Sequence, residues 1–129
     1  MSTLFFYKMS SSNDVVILSA CRTPITKAKK GGLSGATPDV LLRTALQAAV
    51  AKSSLPVEAL GDVVVGNVLQ PGGGAVMGRI AQLCAGIPAS VPLASINRQC
   101  SSGLQALATI FGSIRAGVIE AGIGAGTYN

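Results

Sequence analysis

Short apolar runs without a two-residue alternation recur along this chain, and a helical pattern follows each of the first three. The apolar runs cover residues 15–20, 62–68, 91–97 and 120–126, and the helical patterns cover 37–53, 77–85 and 101–116. Consecutive apolar residues indicate strands that are covered on both faces, as in a parallel sheet between helices. The order of these segments therefore predicts an α/β fold built on a mixed, mainly parallel sheet.

Each helical segment carries an apolar stripe that predicts its buried face. The stripes consist of Leu42, Ala45, Leu46, Ala49 and Val50 in the first helix, Met77, Ile80, Ala81 and Cys84 in the second, and Leu104, Leu107, Ala108, Phe111 and Ile114 in the third. Residues with this spacing share one side of a helix and pack against a core. We therefore interpret Cys84 as a small buried apolar residue, and Cys21, at the end of the first strand, in the same way.

The first thirteen residues differ from the rest of the chain. They are rich in serine and show no periodicity, which predicts a disordered tail over residues 1–13 and one domain over 14–129. A total of 129 residues is the size of a single domain. Hydrophobic residues make up 49% and charged residues only 12%, so the domain is globular and part of its surface is expected to face a partner.

The residue counts exclude several kinds of site. The chain has no histidine, so Cys–His dyads, Ser–His–Asp triads and the usual mixed zinc sites cannot be formed from these residues alone. Three cysteines without paired spacing argue against a disulfide framework and for a reducing compartment. No apolar run approaches the roughly 18 residues that span a bilayer, so no membrane span is predicted.

Two further segments have compositions that occur in binding sites, and both are better interpreted as loops. Lys27, Lys29 and Lys30 account for part of the net charge of +5, but three lysines without neighbouring aromatic residues do not predict a nucleic-acid site. Pro71–Gly74 is rich in glycine but lacks the Gly-Lys-Ser/Thr ending of a phosphate loop. It predicts a turn before a helix.

A polar stretch with a thiol, Asn97–Gly103, joins the third apolar run to the third helical segment. The first N–H groups of a helix have no intrahelical partners, and together with the positive end of the helix they favour a bound or attached anion. A cysteine at such a turn suits nucleophilic chemistry. Cys100 is therefore the predicted nucleophile, and Ser101 and Ser102 are interpreted as capping and packing residues of the first turn.

Asn97–Gly103, continued to Ala106, closely resembles the nucleophile segment of thiolases, particularly the degradative 3-ketoacyl-CoA thiolases of the peroxisomal type. Further motifs of the N-terminal half of that family occur in the expected order, namely Val16–Ala20 with Arg22–Ile25, Gly66–Gly72, Gly86–Pro88 and Val91–Leu93. The resemblance runs from about Val15 to Gly126 and implies the N-terminal half of a thiolase-like fold. Ketoacyl synthases share this fold and a cysteine nucleophile, but the Arg22–Ile25 and Gly66–Pro71 motifs favour thiolase.

The resemblance implies an acetyl-CoA C-acyltransferase of fatty-acid β-oxidation. Cys100 would attack the 3-keto carbon of a 3-ketoacyl-CoA, acetyl-CoA would leave, and CoA would then accept the acyl group from the acyl-thioester intermediate. The N–H of Cys100 would help to form an oxyanion hole. Coenzyme A is then a substrate, and no bound cofactor or metal is implied. By resemblance the expected location is the peroxisome, although no import signal is recognised, and otherwise the cytoplasm.

Two hypotheses about this chain remain open. In thiolases the histidine that activates the nucleophile, a second histidine, a second cysteine and the usual CoA-binding loops lie in the later part of the chain, and Cys21 and Cys84 match none of those motifs. The first hypothesis is an acyltransferase that is incomplete in this form and has little or no activity alone. The second is a non-catalytic thiolase-like fragment that associates with a full-length thiolase.

The resemblance also bears on assembly. Thiolases dimerise through the strand that leads to the nucleophile, so we expect either a homodimer or association with a full-length thiolase through Pro92–Asn97. In the family a second half packs against shared central helices, so one face of this chain is expected to lack its cover.

Overall fold

The computed structural model describes residues 2–9 and 14–127, except for the side chain of Ser2. In these residues the strands and α-helices, in chain order, are β1 Ser2–Lys8, β2 Val15–Arg22, α1 Pro38–Ser53, β3 Asp62–Gly66, α2 Ala75–Cys84, β4 Leu93–Ile96, α3 Ser102–Arg115 and β5 Ala121–Gly126. Short 3-10 turns at Val57–Ala59 and Pro71–Gly74 precede β3 and α2. The predicted α/β class, the four expected strands and the three expected helices are confirmed.

The five strands form one mixed sheet in the order β2-β1-β5-β3-β4. Strand β3 is parallel to both β4 and β5, whereas β1 is antiparallel to both β5 and β2. Four strands therefore run in the same direction and β1 runs against them. Parallel neighbours require crossover connections, and the helices supply these connections.

Helices α1 and α2 cover one face of the sheet, and α3 covers the other. The first face carries the larger core, in which Leu42 and Leu46 of α1 pack against Val63, Val65 and other strand residues. On the second face Ala106, Ile110 and Ile114 of α3 pack against Val64 and Phe6. Since both faces of β3 are buried, the expectation of a fully covered strand is confirmed there.

The prediction of a disordered tail over residues 1–13 is wrong for Ser2–Lys8. These residues form β1, which is hydrogen-bonded on both sides, and Phe5 and Phe6 are buried on opposite faces of the sheet. The serines that suggested a tail lie mainly at residues 10–13, which are outside the described residues. The run Leu4–Tyr7 is apolar and aromatic, a composition that favours strands. The folded unit therefore includes residues before position 14.

The expectation that β2 is buried on both faces is also wrong. It is an edge strand, and Ile17 is 56% exposed. Ser19 is its one buried residue, and its hydroxyl donates a hydrogen bond to the carbonyl of Ala49 over 2.8 Å. An edge position can be apolar without being covered, so the run of apolar residues did not reveal that α1 packs on only one side of β2.

The apolar stripes predict the buried face of α1 but not that of the other two helices. Four of the five residues in the predicted apolar stripe of α1 are buried, namely Leu42, Ala45, Leu46 and Ala49. Helix α2 instead buries Gly78, Ala81 and Gln82, and both Ile80 and Cys84 are exposed. The interpretation of Cys84 as a buried residue is therefore wrong, and Cys21 is only half-buried.

Helix α3 carries apolar residues on two sides. Its buried side consists of Ser102, Ala106, Ile110 and Ile114. Leu104 is 70% exposed and Phe111 is 46% exposed, although both belong to the predicted core stripe. Helical spacing alone cannot choose between two apolar sides. The expectation that one face lacks its cover stays a prediction.

Two hydroxyl oxygens, Oγ1 of Thr3 and Oγ1 of Thr127, are buried without a hydrogen-bond partner within the described part of the chain. Leaving a buried hydroxyl unsatisfied costs about 1–3 kcal/mol, so Thr3→Val is expected to raise the free energy of unfolding by about 1 kcal/mol. Urea unfolding followed by circular dichroism measures this change. Thr44→Val is the control, because the Thr44 hydroxyl is exposed and already bonds to the carbonyl of Val40. A loss of stability in Thr3→Val would contradict the prediction.

Candidate active site

Cys100 lies in the turn between β4 and α3, at the edge of the sheet where the parallel strands end. Strand β4 ends at Ile96 and α3 begins at Ser102. The Cys100 side chain is exposed to solvent. The predicted placement of this residue at a strand-to-helix turn is thus confirmed.

The backbone before Cys100 is held in an uncommon conformation. Gln99 has a φ of 52°, in the left-handed region that side chains other than glycine rarely adopt. The N–H of Gln99 donates to the side-chain oxygen Oδ1 of Asn97 over 3.0 Å, and the N–H of Ser101 donates to the carbonyl of Arg98 over 3.2 Å. Such a conformation costs about 1–3 kcal/mol and persists only where the surroundings enforce it.

Ser102 connects the two sides of the turn. Its side chain is fully buried, and its Oγ accepts a hydrogen bond from the N–H of Arg98 over 2.9 Å. The same hydroxyl donates to the carbonyl of Gln99 over 2.6 Å. Ser102 thus bonds to the backbone on the N-terminal side of Cys100, whereas Ser101, in the N-cap position of α3, makes no side-chain capping bond.

The turn rests directly on the backbone of two neighbouring strands. A Cβ atom on Gly66, the last residue of β3, would lie 2.3 Å from the carbonyl carbon of Ser102. A Cβ atom on Gly126, the last residue of β5, would lie 3.1 Å from Cα of Gly103. Only a residue without a side chain fits at position 66. The two glycines therefore set how closely α3 approaches the sheet.

Buried Asn67 joins the ends of three strands. Its N–H donates to the carbonyl of Ile96 over 3.0 Å, and its side-chain nitrogen Nδ2 donates to the carbonyl of Thr127 over 3.4 Å and to the side-chain oxygen of Gln70. The N–H of Gln70 donates to Asn67 Oδ1 over 3.0 Å. Sequence reasoning missed this role, although a polar residue directly after a buried strand was its signal.

An open groove of about 380 Å³ lies beside the N-terminal ends of α1 and α2. It is lined by Asp39, Gln70, Pro71, Gly74, Val76, Met77 and Ile80. A hydrogen bond from Thr37 lowers the pKa of the Asp39 carboxyl, so that side chain is an anion at neutral pH. Cys100 does not line this groove. Among the described residues, the turn that carries Cys100 contributes none to the lining of this groove.

A family model described as the N-terminal domain of thiolase matches residues 15–129. The chain belongs to the thiolase family. The family predicted from the motifs is thereby confirmed.

Thiolases of known sequence cover almost the whole of this chain. The peroxisomal 3-ketoacyl-CoA thiolase A of Mus musculus is 52% identical over 120 residues, which are 93% of this chain and 28% of the relative. The peroxisomal 3-ketoacyl-CoA thiolase of Homo sapiens is 50% identical over 117 residues, which are 91% of this chain and 28% of the relative. This thiolase chain thus spans a little over a quarter of the length of these relatives.

Solved thiolase structures share the fold. The dimeric peroxisomal thiolase of Saccharomyces cerevisiae superposes with a TM-score of 0.77 at 39% identity, covering 83% of this chain and 28% of that chain. Acat5 thiolase from Ascaris suum, solved in complex with coenzyme A, has a TM-score of 0.73 at 28% identity, covering 92% of this chain and 28% of that chain. The expected thiolase-like fold, matching the N-terminal half, is confirmed.

The other two cysteines of this thiolase chain lie on elements other than the turn that carries Cys100. Cys84 lies at the end of α2 and Cys21 near the end of β2. Across residues 2–9 and 14–127, no group of three or more His, Cys, Asp or Glu side chains is placed to hold a metal ion.

None of the described helices combines the length and hydropathy needed to cross a membrane.

Ser102→Ala is expected to lower the free energy of unfolding by about 1–2 kcal/mol, because the N–H of Arg98 loses the Ser102 hydroxyl as its acceptor and the carbonyl of Gln99 keeps only the N–H of Ser102 as a donor. Ser101→Ala is the matched control. The Ser101 side chain is exposed and makes no capping bond, so this change is expected to stay within about 0.5 kcal/mol. Urea unfolding of the two variants measures the difference. Equal losses in both would contradict the role assigned to Ser102.

Proposed function

We propose that this chain carries the nucleophile of a 3-ketoacyl-CoA thiolase, an acetyl-CoA C-acyltransferase of fatty-acid β-oxidation, and that Cys100 is that nucleophile. The observation that carries the proposal is an exposed cysteine at the start of α3, in a chain about 50% identical to proteins named 3-ketoacyl-CoA thiolases. Those relatives are also named peroxisomal, which supports a peroxisomal location for this protein.

The proposed reaction has two acyl-transfer steps. The Cys100 thiolate attacks the 3-keto carbon of a 3-ketoacyl-CoA, and the bond between carbons 2 and 3 breaks. The electron pair stays on carbon 2, which takes up a proton to give acetyl-CoA. The thiol of a second CoA then attacks the thioester on Cys100, which releases a shortened acyl-CoA and the free thiol. Coenzyme A is thus a substrate, in agreement with a neighbour solved in complex with it.

The chain supplies the nucleophile and the start of a helix, but no histidine to exchange protons with the reacting atoms. The N–H of Cys100 is the proposed oxyanion-hole donor, because developing negative charge is stabilised by backbone donors at a helix start. General acid–base assistance typically contributes about 10²–10⁴-fold to a rate. We therefore propose that the isolated chain has weak thiolase activity or none.

A second candidate is a non-catalytic module that associates with a full-length thiolase or with a second copy. Two observations favour it. Strand β4 is an edge strand, with β3 as its partner in the sheet of the described residues, and an open edge readily pairs with another chain. Leu104 and Phe111 also leave an apolar surface on α3. The Saccharomyces cerevisiae neighbour is dimeric, which supports association of this kind.

The test is incubation of the purified chain with acetoacetyl-CoA and with a longer 3-ketoacyl-CoA, with and without CoA. Turnover is measured by absorbance, and acyl adducts are located by mass spectrometry. We expect an adduct on Cys100 in the unmodified protein and in Cys84→Ala, and none in Cys100→Ala. Cys84 is the matched control because its side chain is also exposed.

Other outcomes would change the proposal in different ways. An adduct on Cys84 alone would contradict the choice of nucleophile. Robust turnover would show that another group replaces the histidine. No adduct, together with elution only as a complex with an added thiolase, would favour the non-catalytic module.

A further inference from the structure

Strand β1 lies outside the residues that the thiolase model matches, yet it occupies the middle of the sheet. The match covers residues 15–129 and so includes β2, β3, β4 and β5. These four strands run in the same direction, and β1 runs against them between β2 and β5. Within the described residues β2 has no other neighbour in the sheet. Without β1, the four matched strands would therefore form two separate parts, β2 alone and a three-stranded sheet of β5, β3 and β4.

Both edges of the gap between β2 and β5 are used by β1. All seven residues of β1 pair with β2, from Ser2 opposite Arg22 to Lys8 opposite Val15. Six of them pair with β5, from Ser2 opposite Gly126 to Tyr7 opposite Ala121. The gap is therefore one strand wide and takes an antiparallel segment.

The side chains of β1 also complement those of β5. On the face covered by α3, Leu4 lies opposite Gly124 and Phe6 lies opposite Gly122. On the other face Phe5 lies opposite Ile123 and is fully buried in the core formed with α1 and α2. Strand β5 consists of five small residues, alanine or glycine, and one isoleucine, so it cannot fill these two cores by itself. Large residues opposite glycines supply the missing volume.

We propose that the gap between β2 and β5 is a strand-acceptor site for an antiparallel segment with aromatic residues at the positions of Phe5 and Phe6. Its occupant is this chain's own segment Ser2–Lys8. Main-chain hydrogen bonds on both edges supply affinity, and the aromatic side chains on the two faces supply specificity, as in other cases of strand addition. This proposal does not depend on acyl transfer by Cys100.

The first test uses the intact chain and measures backbone hydrogen exchange. We expect the amides of Leu4–Tyr7 to be protected to within about tenfold of those of Ala121–Gly126, because both strands belong to the same hydrogen-bonded unit. Free exchange in Leu4–Tyr7, with β5 and β3 still protected, would overturn the proposal.

The second test asks whether the site accepts the segment as a separate molecule. Residues 10–13, which join β1 to β2, are replaced by the recognition sequence of a specific protease, and the folded protein is then cut. The cut N-terminal peptide is expected to co-elute with the remainder in gel filtration. A labelled synthetic peptide of residues 1–9 is expected to exchange with it, measured by fluorescence anisotropy.

The control peptide carries Phe5→Ala and Phe6→Ala and should bind at least about 100-fold more weakly, because both aromatic anchors are lost. Unfolding of the cut protein when its peptide is removed would also support the proposal, since β2 and β5 would have lost their shared neighbour. Equal binding of the two peptides would overturn it. So would loss of the peptide from a remainder that keeps its circular dichroism and its exchange protection in β2 and β5.

Discussion

Gly66→Ala is expected to lower the free energy of unfolding by about 3 kcal/mol or more and to displace the turn that carries Cys100. The new Cβ atom would lie 2.3 Å from the carbonyl carbon of Ser102, 2.4 Å from its oxygen and 2.5 Å from the nitrogen of Gly103. These are backbone atoms, so a change of rotamer cannot relieve the overlap. Helix α3 would have to move away from β3.

Urea unfolding measures this loss, and Gly112→Ala is the matched control. Gly112 lies inside α3, and a Cβ atom there would have no neighbour within 4 Å. Alanine is the better helix former by about 0.5–1 kcal/mol, so the control is expected to gain stability. The same substitution should therefore act in opposite directions at the two positions. A Gly66→Ala protein as stable as the unmodified chain would show that α3 does not pack on β3 in this way.

Phe5→Ala is expected to lower the free energy of unfolding by about 3–5 kcal/mol, the usual cost of removing a fully buried phenylalanine. Phe5 has no exposed surface and packs in the core shared with α1 and α2. The loss leaves a cavity that the small residues of β5 cannot fill. A domain of this size is typically stable by only about 5–15 kcal/mol, so the variant is expected to be marginally folded or unfolded at 25 °C.

Phe111→Ala is the matched control for Phe5→Ala. Phe111 is 46% exposed on the outer side of α3, so we expect a loss below about 1.5 kcal/mol. Thermal and urea unfolding of the two variants compare the losses directly. Similar losses would indicate that β1 is not part of the stable sheet and would contradict the fold as described.

Sequence reasoning succeeds where the cause of structure is local. The non-alternating run Val63–Val65 predicts a covered strand, the spacing of Leu42, Ala45, Leu46 and Ala49 predicts the buried face of α1, and both are observed. The position of Cys100 at a strand-to-helix turn could likewise be predicted, because a polar motif falls between an apolar run and a helical pattern.

Features that depend on contacts between segments far apart in the chain could not be predicted from the sequence. Whether β2 lies in the centre or at the edge of the sheet depends on which strand adds beside it, and that strand, β1, comes directly before a serine-rich segment. The contact of Gly66 with Ser102 and the hydrogen bonds of Asn67 arise only when the ends of β3, β4 and β5 meet. The sequence contains these residues but not their distances.

The pairing of the first strand with the last one also bears on how the chain folds. Ser2 lies opposite Gly126, so the β1–β5 ladder closes a loop that contains most of the chain. Contacts between residues so far apart in sequence form slowly, because a large loop-closure entropy must be overcome first. Joining residue 129 to residue 1 by a short linker, and opening the chain instead in the exposed turns of residues 27–36, would make β1 and β5 neighbours in sequence. The same sheet would then begin from a local hairpin, and its refolding would no longer wait for the two ends of the chain to meet.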